Sequence, residues 1–408
     1  MNRSEPILVH REKYQELLMK SSKTQSIKVL VGMRRTGKST LLRMLIDDLK
    51  AAGTQEDRIY YRRFDQELDQ ELPDVRGMID DVKSKVEVGP GTFILLDEMQ
   101  DIDQWERAVE SFHAAGANVY ITGSNSNMLS SELATKLSGR YLEIKVYPLS
   151  FREFVDFRRA VGDGSDESDL LERFLRTGSL PGIALMDEDS NDITQMMLEG
   201  IFNTVYVKDV ISRNNIRNET LINNLNRFMM KNIGDRTSVR SAVRYINSSG
   251  SKTTPETVNS YIKMLESAML FYRSKRMGSR TKDYLVTADK FYCCDLGIRN
   301  SQISMLPNDM DGILENAVFM ELMKRYGSVS TLDVNGTEVD FVVWTQSYKA
   351  YYQVSLDISD KRTLERELKP LKSIDDSYPK FLITMSRYPL KDIDGISVVR
   401  FDQWMMSE

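Results

Sequence analysis

The stretch Val29-Leu30-Val31-Gly32-Met33-Arg34-Arg35-Thr36-Gly37-Lys38-Ser39-Thr40 constrains this chain more than any other. It reads as an apolar strand, a glycine-framed loop and a helix that continues through Leu41, Leu42, Leu45 and Ile46. The loop fits G-x-x-x-x-G-K-[ST] without a gap. Gly32 and Gly37 let the backbone curl into a nest of inward N–H groups, which a side chain would obstruct. The positive end of the following helix points at the same place, so the site suits a polyphosphate. Lys38 is expected to reach the β- and γ-phosphates, and Ser39 to offer its hydroxyl to Mg²⁺. Gly32, Arg35, Thr36, Gly37, Lys38, Ser39 and Thr40 are therefore the candidate nucleotide-binding residues, with ATP and Mg²⁺ as the implied ligands.

Such a loop needs a second half, and Thr92-Phe93-Ile94-Leu95-Leu96-Asp97-Glu98 supplies one. A continuous apolar run suits a strand buried on both faces of a parallel sheet. Asp97 falls at its carboxyl end, where such sheets hold ligands, and is the candidate for holding Mg²⁺ directly or through water. Glu98 is the candidate general base for the attacking water.

Composition narrows the classes. The 408 residues exceed one usual domain. At 28% charged and 41% hydrophobic the chain is globular rather than disordered. A net charge of −5 excludes a uniformly basic nucleic-acid coat and leaves a local basic face open. No apolar run approaches a membrane span, and Met1 to His10 has no apolar signal core. No membrane partner is expected. The two cysteines, Cys293 and Cys294, are neighbours and cannot build a disulfide framework, so a cytoplasmic location is expected. His10 and His113 are the only histidines, which argues against a histidine metal site or a Ser-His triad.

Along the chain, a short helix carrying Tyr14, Leu17, Leu18 and Met19 precedes the first strand. The helix after the phosphate loop ends near Gly53. A strand over 58–65, a helix over about 75–86 and a helix over 105–115 follow, the last with Trp105, Val109 and Phe112 on one face. Residues 118–126 read as another buried strand running into a polar turn. There Ser124 and Asn125 are candidates to contact the γ-phosphate and the lytic water; ordinary turn chemistry explains them equally well. A capped helix over 130–137 and a strand over 141–146 complete a pattern of strands alternating with helices. That pattern argues for a parallel α/β sheet.

Gly-Met-Arg-Arg-Thr-Gly-Lys-Ser at 32–39, Leu96-Asp97-Glu98-Met99-Gln100, Thr122-Gly123-Ser124, the 133–140 stretch and Pro148-Leu149-Ser150-Phe151-Arg152-Glu153-Phe154 carry a resemblance. Together they resemble the AAA+ ATPase core of a large bacterial and archaeal family whose C-terminal domain has no known function. The likeness covers nearly the whole chain. It implies a nucleotide-dependent homo-oligomer in which an arginine of one subunit reaches the next subunit's phosphate. Arg140 matches the family's Gly-Arg position and is the candidate finger, which would stabilise transition-state charge. A solvated arginine before a strand is the alternative. Residues 175–182 and 205–210 resemble the family's lid, in which Lys208 and Asp209 read as an exposed ion pair.

Beyond residue 232 the order is helix, helix, strand: 238–246, 254–265 and 270–273. Ser238 and Thr254 stand as N-caps. This order fits a winged helix whose recognition-type helix, 257–264, turns Asn259, Ser260 and Lys263 outward. Arg273, Lys275, Arg276, Arg280 and Lys282 form a basic cluster after it, suited to the phosphates of double-stranded DNA. A protein-contact winged helix is the alternative. In the last segment, Glu315 and Asp340 fit two positions of a restriction-endonuclease-like site. Gln353-Val354-Ser355 stands where Glu-x-Lys is needed. Gln353 retains a carbonyl that could ligate, but the charges required by metal-dependent hydrolysis are missing.

The sequence thus leads to an α/β P-loop core of the AAA+ type with a helical lid, a winged helix and a nuclease-like domain that has lost catalysis. The expected bounds are 1–25 for a lead helix, 26–155, 156–231, 232–285 and 286–408. The expected activity is Mg²⁺-dependent ATP hydrolysis coupled to the C-terminal domains. An ATP-gated metal-dependent DNA nuclease and a slow nucleotide switch or protein scaffold are the alternatives.

Overall fold

The structure, a computed structural model, describes residues 7–65, 74–125, 139–186, 191–278, 288–334, 336–387 and 391–407. The expected helix over 130–137, and Arg280 and Lys282, lie outside these residues. The chain divides into two compact units: residues up to Tyr147 together with Ser267–Met269, and the remainder from Pro148 onward.

In the first unit the elements are α1 (Glu12–Ser21), β1 (Ile27–Val31), α2 (Lys38–Ala51), β2 (Ile59–Arg63), α3 (Val75–Lys85), β3 (Phe93–Asp97), α4 (Trp105–Ala114), β4 (Asn118–Gly123) and β5 (Tyr141–Lys145). The strands form one parallel sheet in the order β2-β3-β4-β1-β5. β1 is buried along its whole length, as a central strand covered on both faces must be. α2 turns Leu41, Leu42, Leu45 and Leu49 onto the sheet, where they join Leu30, Leu95, Tyr120 and Ile144. Each such side chain contributes roughly 1.5–3 kcal/mol on burial. One polar residue interrupts β1. Lys28 is fully buried, its Nζ donates to Thr24 O and Asn118 Oδ1 at 2.8 Å each, and burial brings its pKa down to about 8.

The second unit begins with α5 (Phe151–Ala160), α6 (Glu167–Thr177), α7 (Asn191–Thr204), a π-helical stretch over Val205–Ser212 and α8 (Glu219–Lys231). The Ser150-Phe151-Arg152-Glu153 motif is a capping box. Ser150 Oγ accepts from the Glu153 N–H and Glu153 Oε2 from the Ser150 N–H, at 3.1 and 2.8 Å. Phe151 and Phe154 then pack edge-on against Phe174. Lys208 is exposed, but Asp209 is buried and pairs with Arg213 one turn on at 3.2 Å, which replaces the expected exposed Lys208–Asp209 pair.

Next come β6 (Arg236–Thr237), α9 (Val239–Ser248), α10 (Pro255–Ser267), β7 (Phe271–Gly278), β8 (Asp289–Cys293) and α11 (Leu296–Gln302). Ser238 and Thr254 accept from the N–H groups of Ser241 and Thr257, as N-caps do. The remaining elements are α12 (Met310–Tyr326), β9 (Ser330–Val334), β10 (Thr337–Trp344), β11 (Lys349–Ser355), α13 (Lys361–Lys372), β12 (Lys380–Thr384), β13 (Asp392–Ile393), β14 (Ile396–Arg400) and α14 (Phe401–Met406).

All nine strands of this unit share one sheet, ordered β13-β14-β12-β11-β10-β9-β7-β8-β6. β9, β10 and β11 form an antiparallel meander, and α13 crosses to the parallel strand β12. β7 pairs with β8 on one side and β9 on the other, so the expected boundary at 285/286 separates two hydrogen-bonded partners. Two glycines mark a tight junction. A Cβ at Gly178 would lie 2.1 Å from Asp295 Oδ1, and one at Gly297 would lie 2.0 Å from Thr177 O. Asp295 accepts the Ser179 N–H at 2.6 Å and caps α11 at Ile298. Burial holds its carboxyl above the usual range.

Candidate functional site

The carboxyl ends of β1, β3 and β4 lie side by side, with Val31 opposite Gly123 and Leu96 opposite Ile121. The phosphate loop, Asp97-Glu98 and the Ser124-Asn125 turn therefore leave the sheet at one edge. Lys38 and Glu98 meet there, with Nζ 3.6 Å from Oε1 and both side chains buried. Lys38 Nζ also donates to Gly32 O at 2.9 Å and Met33 O at 3.2 Å.

The loop is built as its sequence requires, with one change of reason. Gly37 takes a left-handed φ of 98°, and α2 begins after it with no side-chain cap. The first N–H groups of α2 are thus left for an acceptor from outside the helix. Gly32 is needed for packing: a Cβ there would lie 2.2 Å from Val146 O. Thr36 is fully buried, and its hydroxyl donates to Met33 O inside the loop at 2.9 Å. Arg35 and Thr40 are exposed and Ser39 is half-buried. Arg11 was not foreseen. It is buried, and its Nη1 donates to Thr36 O and Tyr147 O at 3.1 and 3.0 Å, bracing the loop from outside.

Asp97 is fully buried. Thr122 Oγ1 donates to its Oδ1, Tyr61 OH donates to Oδ2 at 3.1 Å, and Arg63 Nε lies 3.7 Å from Oδ2. These contacts hold a carboxylate in one orientation. Glu98 leaves the strand at φ 60°, a strained conformation for a side chain with a Cβ, and its N–H donates to Thr122 Oγ1 at 2.8 Å. In the sequence Thr122 stands out only as part of the Thr122-Gly123-Ser124 motif. Ser124 Oγ is buried with no hydrogen-bond partner among the described residues, and Asn125 is buried beside it in sequence.

Arg140 does not join this group. Its carbonyl accepts the Ile27 N–H, so it lies at the amino end of β5 and β1, and its side chain is exposed. The loop leaves the other end of the five-residue β1, on the order of 13 Å away at a strand's rise per residue.

The second unit has its own buried charges. Lys290 Nζ, on β8, lies 2.7 Å from Glu315 Oε1, 2.8 Å from Glu338 Oε1 and 3.6 Å from Asp340 Oδ1. Arg236 donates to the other oxygen of Glu338, and Tyr292 OH to Glu315 at 2.6 Å. A register shift in β10 between Val339 and Val342 re-aims Asp340. Burial pulls the Lys290 ammonium down, but the three carboxylates outweigh it and hold it above its ordinary range. Burial, then the charge of Glu315, pushes Asp340 up to about 8, because Lys290 is shared with two nearer carboxylates. Burial also raises Glu315. For Glu338, Lys290 and Arg236 outweigh burial and keep it below the usual range. Gln353 is not available as a ligand: its Oε1 accepts the Asp340 N–H at 3.3 Å and its Nε2 donates to Glu367 at 3.0 Å. Ser355 Oγ donates to Asp357 O at 3.3 Å.

Of the expected basic cluster, Arg273, Lys275 and Arg276 are described, and two of these three are paired. Arg273 pairs with Glu266 and Asp289, and Arg276 with Asp333. Lys275 is exposed, and so are Arg240 and Arg244 on α9, Lys252 in the turn and Lys263 on α10.

A parallel sheet ordered 2-3-4-1-5, with a glycine-framed loop after β1 and Asp97-Glu98 after β3, defines a member of the AAA+ P-loop ATPase superfamily. A family model described as an AAA domain matches residues 24–155, and a domain of unknown function (DUF8612) matches residues 168–309. A Haemophilus influenzae protein described as uncharacterized is 31% identical over 401 residues, which cover 98% of this chain and 99% of that one. The chain belongs to the same family as that protein, with an AAA domain matched over residues 24–155. The uncharacterized protein MJ1544 of Methanocaldococcus jannaschii is 29% identical over 357 residues, 84% of this chain and 77% of its own. Among solved structures, the Walker-type ATPase PABY2304 of Pyrococcus abyssi is 15% identical, covers 72% of this chain and 96% of its own, and gives a TM-score of 0.49.

Proposed function

We propose that the chain is a Mg²⁺-dependent ATPase that couples its nucleotide state to DNA. The observation that carries the hydrolytic part is the buried approach of Lys38 to Glu98, 3.6 Å apart beside the uncapped start of α2. The donor set fits ATP·Mg²⁺: the start of α2 without a side-chain cap, the Lys38 ammonium, the Ser39 hydroxyl, the Asp97 carboxylate and the Ser124 hydroxyl. Bound Mg²⁺ would draw charge off the phosphates. Lys38 would exchange its loop carbonyls for phosphate oxygens, Ser39 and Asp97 would hold the metal, and Glu98 would take the proton of the attacking water. Ser124 and Asn125 contact the γ-phosphate. Arg140, exposed at the far end of its own sheet, acts on the phosphate of a neighbouring copy in a homo-oligomer.

The helix pair α9–α10 with strands β6, β7 and β8, in which β6 pairs with β8, supports reading this segment as a winged helix. The exposed Arg240, Arg244, Lys252, Lys263 and Lys275 favour duplex DNA as its ligand. The α12-β9-β10-β11-α13-β12 order supports reading the last segment as restriction-endonuclease-like, but nuclease activity fits poorly. The Lys290 ammonium fills the space between Glu315 and Asp340, and Gln353 and Ser355 are spent on internal hydrogen bonds.

Steady-state phosphate release with and without duplex DNA tests the coupling. Turnover that depends on Lys38 and rises with DNA supports it. Lys38-dependent turnover indifferent to DNA moves the partner from DNA to protein.

A further inference from the structure

Glu98 has a neighbour that the ATPase reading leaves unused. Gln100 lies in the short 3-10 turn Met99–Asp101 after β3. Its Nε2 donates to Glu98 Oε2 at 2.7 Å, and its Oε1 accepts the backbone N–H of Ser124 at 3.4 Å. A backbone N–H can only donate and a carboxylate can only accept, so this pair of neighbours permits one orientation of the amide. One side chain therefore spans the candidate base and the turn that follows β4. The carboxylate's other oxygen, Oε1, is the one that faces Lys38.

We infer that Gln100 is a positioning residue for the attacking water, holding the Glu98 carboxylate in register with the Ser124-Asn125 turn. The inference rests on the ATPase reading above. A donor fixed on Oε2 occupies that oxygen and leaves Oε1 to accept a proton. The strained φ of Glu98 means that its backbone alone does not hold the carboxylate in one place. The Ser124 contact, at 3.4 Å, is at the outer limit of a hydrogen bond, so a small movement of the turn tightens or breaks it. When the orphaned Ser124 hydroxyl engages a γ-phosphate, that movement passes through one amide to the base. The base is thereby aligned only when the third phosphate is present.

Two variants test this. Gln100→Ala removes both bonds. It should lower kcat by about 10- to 100-fold, the usual loss for a misplaced catalytic group, with the ATP Kd within about twofold of wild type. Gln100→Glu keeps the shape but replaces the amide donor with a carboxylate that cannot donate to Glu98 Oε2. It should lower kcat by a similar factor with the ATP Kd again within about twofold. A turn-stabilising role alone would lower the melting temperature and leave kcat in place. Since Gln100→Glu is nearly isosteric, it remains informative if Gln100→Ala fails to fold. Lys38-dependent hydrolysis in wild type, with kcat of both variants within twofold of wild type, overturns the inference alone. No Lys38-dependent hydrolysis in wild type overturns the ATPase reading and the inference together.

Discussion

Lys38 and Lys290 are both buried lysines facing carboxylates, one in each unit, and the way they are held differs. Lys38 rests on two loop carbonyls and one glutamate at 3.6 Å, beside a helix start with no cap. Lys290 is ringed by three carboxylates, two of them within 2.8 Å, and Arg236 adds a second cation. With Asp340 protonated near neutrality, Lys290 and Arg236 balance Glu315 and Glu338. Neutral acceptors can be exchanged for phosphate oxygens at little cost, whereas a balanced buried ion cluster resists any exchange. On the proposed function, the same residue type serves chemistry in one unit and architecture in the other.

The contrast can be broken most directly at the lysines. Lys38→Ala should abolish ATP hydrolysis, a loss of at least about 10²-fold as for other transition-state donors, with little change in melting temperature. Lys290→Met should do the reverse in stability. It should destabilise the second unit by about 3–5 kcal/mol, because it leaves buried carboxylates uncompensated. Chemical unfolding followed in Lys290→Met and in Lys290→Met/Glu315→Gln checks this, and the double variant should recover part of the loss. A Lys290→Met protein as stable as wild type would remove the architectural half of the comparison.

The pH dependence sharpens it. Asp340 has its folded pKa raised to about 8 against about 3.9 unfolded, so the folded state binds the extra proton between those values. Its contribution to stability is full below about pH 4 and is lost as pH rises towards 8. Unfolding free energies across that window should fall less steeply in Asp340→Asn. The smallest expected effect is on DNA binding. Arg240→Glu/Arg244→Glu should weaken duplex binding and flatten its salt dependence by about the charges removed, as read from affinity at several salt concentrations.

Much of the first unit was legible because its signals are local. Gly32 to Ser39 and Leu95 to Glu98 are contiguous, and buried parallel strands announce themselves as apolar runs. Lys38 and Glu98, 60 positions apart in the sequence, meet because both follow central strands. What was not legible depends on contacts with no local pattern. Arg11 reaches Thr36 and Tyr147 from a segment that reads only as a lead helix. Lys290 carries no local sign of its role, since its carboxylates come from α12 and β10. Glu338 was passed over beside Asp340. Arg273 and Arg276 looked like phosphate ligands because their acidic partners Glu266, Asp289 and Asp333 are distant or unremarkable in the sequence. Ser150 to Phe154 was visible as a motif, and the capping box supplies its physical reason.

The most direct test measures ATP binding and phosphate release side by side in wild type, Lys38→Ala and Glu98→Gln. The account predicts that Lys38→Ala loses hydrolysis and weakens binding. It predicts that Glu98→Gln keeps binding within a few-fold while kcat falls by about 10²- to 10⁴-fold, the range for a lost general base. Hydrolysis that survives in Glu98→Gln at the wild-type rate, or that is absent from wild type altogether, would contradict it.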